Sequence, residues 1–260
     1  MKRTPIHPDL SQFPHELYPL LDGAPLFDSS CSPEARVYLI DRDGGCFLKM
    51  SEKGSLKTEA ELTRYFHGKG LAAEVLFYES GDRDCLLTSR VSGEDCTDAL
   101  YLAEPKKLAR TLAEVLRNLH ALDASDCPVV RSESYIASVE EGYRHGRFDR
   151  SIFLPDMTLS DRESEYAFFC AHKHLLAKDT LIHGDACLPN IMLDSWRLSG
   201  LIDLGNGGRA DRHIDLFWGA WTLLYNLKTD AYRQYFFDAY GREFLDDERL
   251  RLVAAAECFG

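Results

Sequence analysis

The chain predicts an α+β protein of two lobes, and three observations carry that expectation. The first third alternates short β-branched and aromatic runs with glycine turns. From about residue 100 the apolar residues recur at helical spacing. No internal repeat or low-complexity segment interrupts either regime. At 260 residues the chain is long enough to bury a substantial core as one large domain or as two lobes.

The strand-rich part begins with "ARVYLIDRDGGCFLKMS", two β runs around Asp43-Gly44-Gly45, a hairpin signal because such a turn needs positive φ. Alternation in the second run puts Cys46, Leu48 and Met50 on one face and Phe47 and Lys49 on the other. "SLKTEAELTRYFHGKGL" then reads as a helix, with Leu62, Tyr65 and Phe66 on one stripe and glycines at its end. Glu59 shares that stripe, and a carboxylate on the buried side of a helix needs a partner. "AEVLFYES" and "DCLLTSRV" are two more strands, joined at Gly81-Asp82. In "EPKKLARTLAEVLRNLHALD", Leu108, Leu112, Val115, Leu116 and Leu119 form one face behind Pro105. Residues 131–162 read as irregular, and "SDRESEYAFFCAHKHLLAKD", 214–227, 229–240 and 246–258 as helical.

Composition narrows the function classes. The net charge of −12, from 42 acidic and 30 basic residues, opposes nonspecific nucleic-acid binding, which needs a positive surface. It equally suits ordinary solubility or a negative cleft for a cationic substrate. No apolar run is long enough to span a bilayer. The opening "MKRTPIHPDLSQFP" has basic residues but no apolar stretch behind them, which argues against a secretion signal. The eight cysteines are scattered with no CxxC pair, so reduced thiols in a cytoplasmic protein are expected, with no membrane association.

The chemistry concentrates in residues 181–205. "LIHGDACLPNIMLD" carries Asp185 and, five residues on, Asn190; "LSGLIDLG" follows with Asp203. Reading "NIMLD" and "LSGLID" as a small hairpin turning at Ser195-Trp196 brings Asp185, Asn190 and Asp203 to one rim. Two carboxylates and an amide oxygen are hard donors suited to Mg²⁺. The Asp-x4-Asn spacing matches the catalytic loop of protein kinases, and "IDLG" stands where their metal-binding Asp-Phe-Gly turn does. Each piece alone is weak: His-Gly-Asp is a common tight turn, and Lys49 or Glu59 alone is most often a solvated surface residue. A strand lysine, a buried-face helix glutamate, Asp-x4-Asn and Asp-Leu-Gly in that order point together to phosphoryl transfer.

The chain resembles the aminoglycoside phosphotransferases of the 3'-type. The likeness runs through "SPEARVYLI", "CFLKMS", "LLTSRVSGE", "LRNLHALDASDCP", "HGDACLPNIML", "LSGLIDLGNGGRADRHIDL" and "ECFG". It implies a protein-kinase-like fold: a small β-rich N-terminal lobe over 1–88, a hinge at 89–92 and a larger, mostly helical lobe over 93–260. Asp185 is then the catalytic aspartate that takes the substrate hydroxyl's proton, and Asn190 and Asp203 are magnesium ligands. Lys49 holds the α- and β-phosphates, positioned by Glu59, with Glu61 the alternative partner. Ser89 and Val91 belong to a hinge that offers backbone groups to the purine of ATP or GTP. Ser32 lies in a loop over the phosphates; "SPEA" is not a Walker loop. His183 and Asp215 support the catalytic loop, and His120 is structural.

For the acceptor, the resemblance points to acidic residues of the mid-chain insert (Asp149, Asp156, Asp161, Glu163, Glu165), to Asn206 and to Glu257 in "ECFG". Glu257, Asp156 and Asn206 are the candidate contacts. The family's usual arginine after Asp-x-Gly is here Asn206, the acid before Glu257 is Ala256, and Tyr225-Asn226 stand where acids are expected. Trp218, Trp221 and Tyr225 suit either an aromatic wall or ordinary core. The expected activity is phosphorylation of a cationic aminosugar, conferring antibiotic resistance, by a monomer or weak dimer. A kinase of another small hydroxylated amine or metabolite, or a nucleotide-binding pseudokinase without turnover, are the alternatives.

Overall fold

The structure, a computed structural model, describes residues 3–158 and 160–260. In chain order the elements are β1 (Thr4–Ile6), α1 (Tyr18–Leu21), β2 (Leu26–Asp28), β3 (Ala35–Ile40), β4 (Cys46–Glu52), α2 (Lys57–Gly68), β5 (Val75–Ser80), β6 (Arg83–Ser89) and β7 (Glu94–Asp95). There follow α3 (Ala99–Leu102), α4 (Pro105–His120), α5 (Arg131–Arg144), α6 (Arg162–His172), β8 (Thr180–Ile182), β9 (Ile191–Asp194) and β10 (Arg197–Leu201). The last are β11 (Gly208–Ala210), α7 (His213–Leu227), α8 (Arg233–Tyr240) and α9 (Asp247–Glu257). Two compact units emerge, Met1–Glu94 with Met192–Gly205, and Asp95–Ile191 with Asn206–Gly260.

The first unit is built on a six-stranded antiparallel sheet in the order β1-β2-β3-β4-β6-β5. The β3–β4 turn takes positive φ at Asp43, Gly44 and Gly45, as the hairpin signal requires. One face of β4 packs Cys46, Leu48 and Met50 into a core with Ile40, Leu87, Phe13, Leu17 and Leu21. On a second cluster, Leu56 and Ala60 at the start of α2 meet Leu86. The sheet extends beyond the expected strands, because β1 and β2 are three residues each and too short to show a period. The hairpin β9–β10 turns at Ser195 and Trp196, both at positive φ. Neither residue advertises such a turn, which asparagine and glycine favour.

The second unit is mostly helical. Helix α4 buries the predicted Leu108, Leu112, Leu116 and Leu119 and packs on α7 and α8, while α9 packs on α5, α6 and α7. Strands β8 and β11 pair antiparallel, Gly208 opposite Ile182. The expectation of irregular chain from 131 is corrected: Arg131–Arg144 is a fourteen-residue helix. Its buried positions are Ser132, Tyr135, Val139 and Gly142, correct in spacing but with a single aliphatic residue, so no apolar stripe marks it. Gly142 is required by close approach, since a Cβ there would lie 1.7 Å from the Phe259 carbonyl oxygen. Among the described residues no helix is long and apolar enough to cross a membrane, and all eight cysteines are free thiols.

Candidate active site

In the first unit the chemistry gathers around Lys49. Alternation along β4 turns its side chain away from the Leu48 core face, and Nζ lies 2.7 Å from Glu59 Oε2 and 2.8 Å from Asp203 Oδ1. Burial pushes the ammonium's pKa down, but the two carboxylates outweigh it and hold the group above its ordinary value. Glu59 is buried in the first turn of α2, whereas Glu61 is exposed. Asp203 adopts a left-handed conformation, φ +59, and its second carboxylate oxygen makes no hydrogen bond among the described residues.

The entry into α2 is held by a residue that the sequence did not single out. Asp84 is fully buried and accepts from the N–H groups of Gly54 (2.8 Å) and Leu56 (2.9 Å) and from the hydroxyls of Ser80 and Tyr78. Burial raises its pKa, but these four donors outweigh it and keep the carboxyl below its ordinary value. The helix that carries Glu59 is thereby fixed relative to β6.

Ser32 is exposed in the loop between β2 and β3. At the end of β6, Ser89 donates its N–H to Glu74 O and accepts the Glu74 N–H on Oγ. The Arg90 N–H goes to Gly45 O, while that of Val91 makes no hydrogen bond among the described residues.

In the second unit, β8 runs into a loop that carries His183, Gly184 and Asp185. Asp215, buried in the first turn of α7, accepts the N–H of His183 on Oδ2 and that of Gly184 on Oδ1, each at 2.7 Å. His120 braces it in turn, Nε2 at 3.0 Å from Asp215 Oδ2 and Nδ1 at 2.8 Å from the Tyr240 hydroxyl. The Asp185 N–H donates to His183 Nδ1 at 3.3 Å. Asn190 gives both hydrogens of its amide to Asp185, one to the backbone oxygen (3.0 Å) and one to Oδ2 (2.9 Å). Its own amide oxygen is therefore left to accept elsewhere.

Asp185 opens into a cavity of about 340 Å³ lined also by Arg131, Tyr135, Asn206, Trp218 and Glu257. Tyr135 donates its hydroxyl to Glu257 Oε1 at 2.8 Å. Burial drives the Glu257 carboxyl up to about 7, helped by the charge of Asp185 and opposed by hydrogen bonds from Tyr135 and Trp218 and by the Arg131 cation. Arg131 donates to Asn206 Oδ1 at 3.0 Å.

Of the three candidate acceptor contacts, Glu257 and Asn206 line this cavity with Asp185. Asp156 does not: its carboxylate is spent on Arg233, and it borders a separate cavity of about 400 Å³. Trp218 lines the Asp185 cavity, while Trp221 and Tyr225 stack on each other at 4.9 Å and Tyr225 is exposed. Arg131 and Tyr135 went unread because the helix that carries them shows no apolar period.

Each within its own unit, Asn190 and Asp203 offer hard oxygen donors of the kind magnesium prefers. Neither the Asn190 amide oxygen nor the second Asp203 carboxylate oxygen accepts a hydrogen bond among the described residues. Among the described residues no group of three or more His, Cys, Asp or Glu side chains could hold a metal alone.

Residues 27–253 match the phosphotransferase enzyme family. A Lactococcus lactis protein named "Probable aminoglycoside 3'-phosphotransferase" is 44% identical over 97% of both chains. The aminoglycoside 3'-phosphotransferase of Niallia circulans is 29% identical over 79% of this chain and 80% of its own. Among solved structures, an aminoglycoside-3'-phosphotransferase of type VIII superposes with a TM-score of 0.69, at 26% identity over 96% of each chain.

Proposed function

The chain belongs to the phosphotransferase enzyme family, and from that membership we propose that it transfers the γ-phosphate of ATP or GTP to a hydroxyl of an aminoglycoside. The 44% identical relative, named as a 3'-phosphotransferase, supports the 3'-hydroxyl as the target. One observation carries the reading of the acceptor. A single cavity joins Asp185, able to take a hydroxyl proton, to the half-buried Glu257, able to receive an ammonium.

In this mechanism Asp185 orients the acceptor hydroxyl and takes its proton as the phosphorus–oxygen bond forms. The Asn190 amide and the backbone brace of Asp215 hold that carboxylate in place. Lys49, kept charged by Glu59 and Asp203, neutralises the phosphates of the nucleotide. Asn190 and Asp203 would hold magnesium, which supplies charge neutralisation on phosphate oxygens when bound. Ser32 serves the phosphates through its loop, and the backbone at Ser89 and Val91, where the Val91 N–H makes no hydrogen bond among the described residues, serves the purine. Such a reaction draws on the nucleoside triphosphate of the cytoplasm, where eight free thiols are also at home.

A second reading, phosphorylation of a less cationic hydroxylated amine, is favoured by the Arg131 guanidinium in the cavity. A coupled nucleotide-turnover assay across kanamycin-type, neomycin-type and unrelated hydroxyl acceptors separates the two, with the product mapped by NMR. Stimulation by aminoglycosides and phosphate on the 3'-oxygen is the expected result. Stimulation only by other amines moves the assignment to the second reading.

A further inference from the structure

We infer that Arg131 is a specificity-determining residue of the acceptor cavity, selecting aminoglycosides that present a hydroxyl rather than an ammonium to its guanidinium. The inference rests on the aminoglycoside reading and deepens it. Arg131 is the first residue of α5, where a cation opposes the helix dipole, so helix stability does not account for its charge. Its anchors are neutral: Nη2 donates to Asn206 Oδ1 at 3.0 Å and Nη1 to Ser134 Oγ at 3.4 Å. Among the described residues it forms no salt bridge, so no bonded carboxylate offsets its charge. The backbone beneath it is pinned, with Val130 bridged to Arg209 and the Arg209 N–H donating to Val129 O at 2.9 Å. The result is a fixed, half-buried cation in a cavity that also holds the side-chain carboxyls of Asp185 and Glu257.

An ammonium on the acceptor ring is drawn to the two carboxylates and repelled by the guanidinium. A hydroxyl at the same place accepts a hydrogen bond from a guanidinium N–H. Like charges brought together in a confined site are a strong discriminator, because neither can escape into water. The cavity therefore takes a ring with an ammonium toward Glu257 and a neutral group toward Arg131.

The test uses two matched acceptor pairs that each differ by one hydroxyl-to-amine change: kanamycin A against kanamycin B, and paromomycin against neomycin. In at least one pair the wild-type protein is expected to favour the hydroxyl member by about tenfold in kcat/KM, a ratio of the size one unfavourable charge contact produces. Arg131→Gln brings that ratio close to one, and Arg131→Lys, which keeps the charge, retains most of it. Thermal unfolding of both variants checks that they are folded. A ratio in both pairs that is the same for wild type and Arg131→Gln overturns the inference and leaves the aminoglycoside reading standing. Absence of turnover with all four compounds overturns that reading, and the role of Arg131 with it.

Discussion

Tyr135 donates a 2.8 Å hydrogen bond to Glu257 Oε1, tying α5 to the last residue of α9 within the cavity that holds Asp185. The bond favours the ionised carboxylate, yet burial prevails and the carboxyl titrates at about 7. The Glu257 carboxylate charge is therefore only partly present at neutral pH.

The acceptor KM is expected to fall by about tenfold as pH rises from roughly 6 to roughly 8, following ionisation of one group at the site. Glu257→Gln removes that dependence and holds KM at the high, acid-side value. Stability moves the other way. The folded value, about 7, exceeds the ordinary 4.5, so the contribution is full below 4.5 and is lost as pH rises through 7. Chemical denaturation of wild type against Glu257→Gln at several pH values checks this. A parallel pH dependence in the two proteins contradicts it.

Asp215→Ala strips the acceptor from two buried backbone N–H groups and from His120. A loss of about 3–5 kcal/mol in urea unfolding is expected, as for breaking a buried charged hydrogen-bond network. Turnover should fall with it, because the loop that presents Asp185 loses its support. A variant within about 1 kcal/mol of wild type would rule out the brace, that being the scale of an ordinary single hydrogen bond.

Gly184 sits at φ +84, and a Cβ there would lie 1.8 Å from the Asn206 carbonyl oxygen. Gly184→Ala must displace either the catalytic loop or residue 206. Its kcat should drop by about a hundredfold, the scale expected for misplacing a reactive group by an ångström. Asn206→Ala leaves that carbonyl in place, so it should not rescue the double variant.

Asp185→Asn and Lys49→Met are expected to separate by parameter. The first loses at least about a hundredfold in kcat, the lower end for a general base, with nucleotide KM close to wild type. The second raises nucleotide KM, because two carboxylates then stand beside the phosphates without their cation. Steady-state kinetics with varied nucleotide distinguishes them. Equal effects on both parameters in both variants would undo the division of roles.

Legibility followed the strength of the local period. The face of β4 and the stripe of α2 are strictly periodic, so Lys49 and Glu59 could be paired from sequence, and the 2.7 Å contact lies where the two patterns point. Helix α5 fails the same test, because its buried positions Ser132, Tyr135, Val139 and Gly142 include one aliphatic residue, and Gly142 is set by the close approach of Phe259. Arg131 and Tyr135 were hidden with it. Asp84 was invisible for a related reason: its four donors are scattered from Gly54 to Ser80, and no short motif records a carboxylate that gathers them.

By itself the sequence determined the class of fold, the hairpin that leads to Asp203, and the pairing of Lys49 with Glu59. Those depend on spacing along the chain, which local sterics and hydrophobic period translate directly into geometry. The tertiary structure alone decided that Glu257 and Asn206 share a cavity with Asp185 while Asp156 does not, and that Arg131 enters it. It likewise assigned the segment Met192–Gly205 to the first unit. Such outcomes depend on contacts between elements distant in sequence, where burial and charge act through space and leave no local pattern to read.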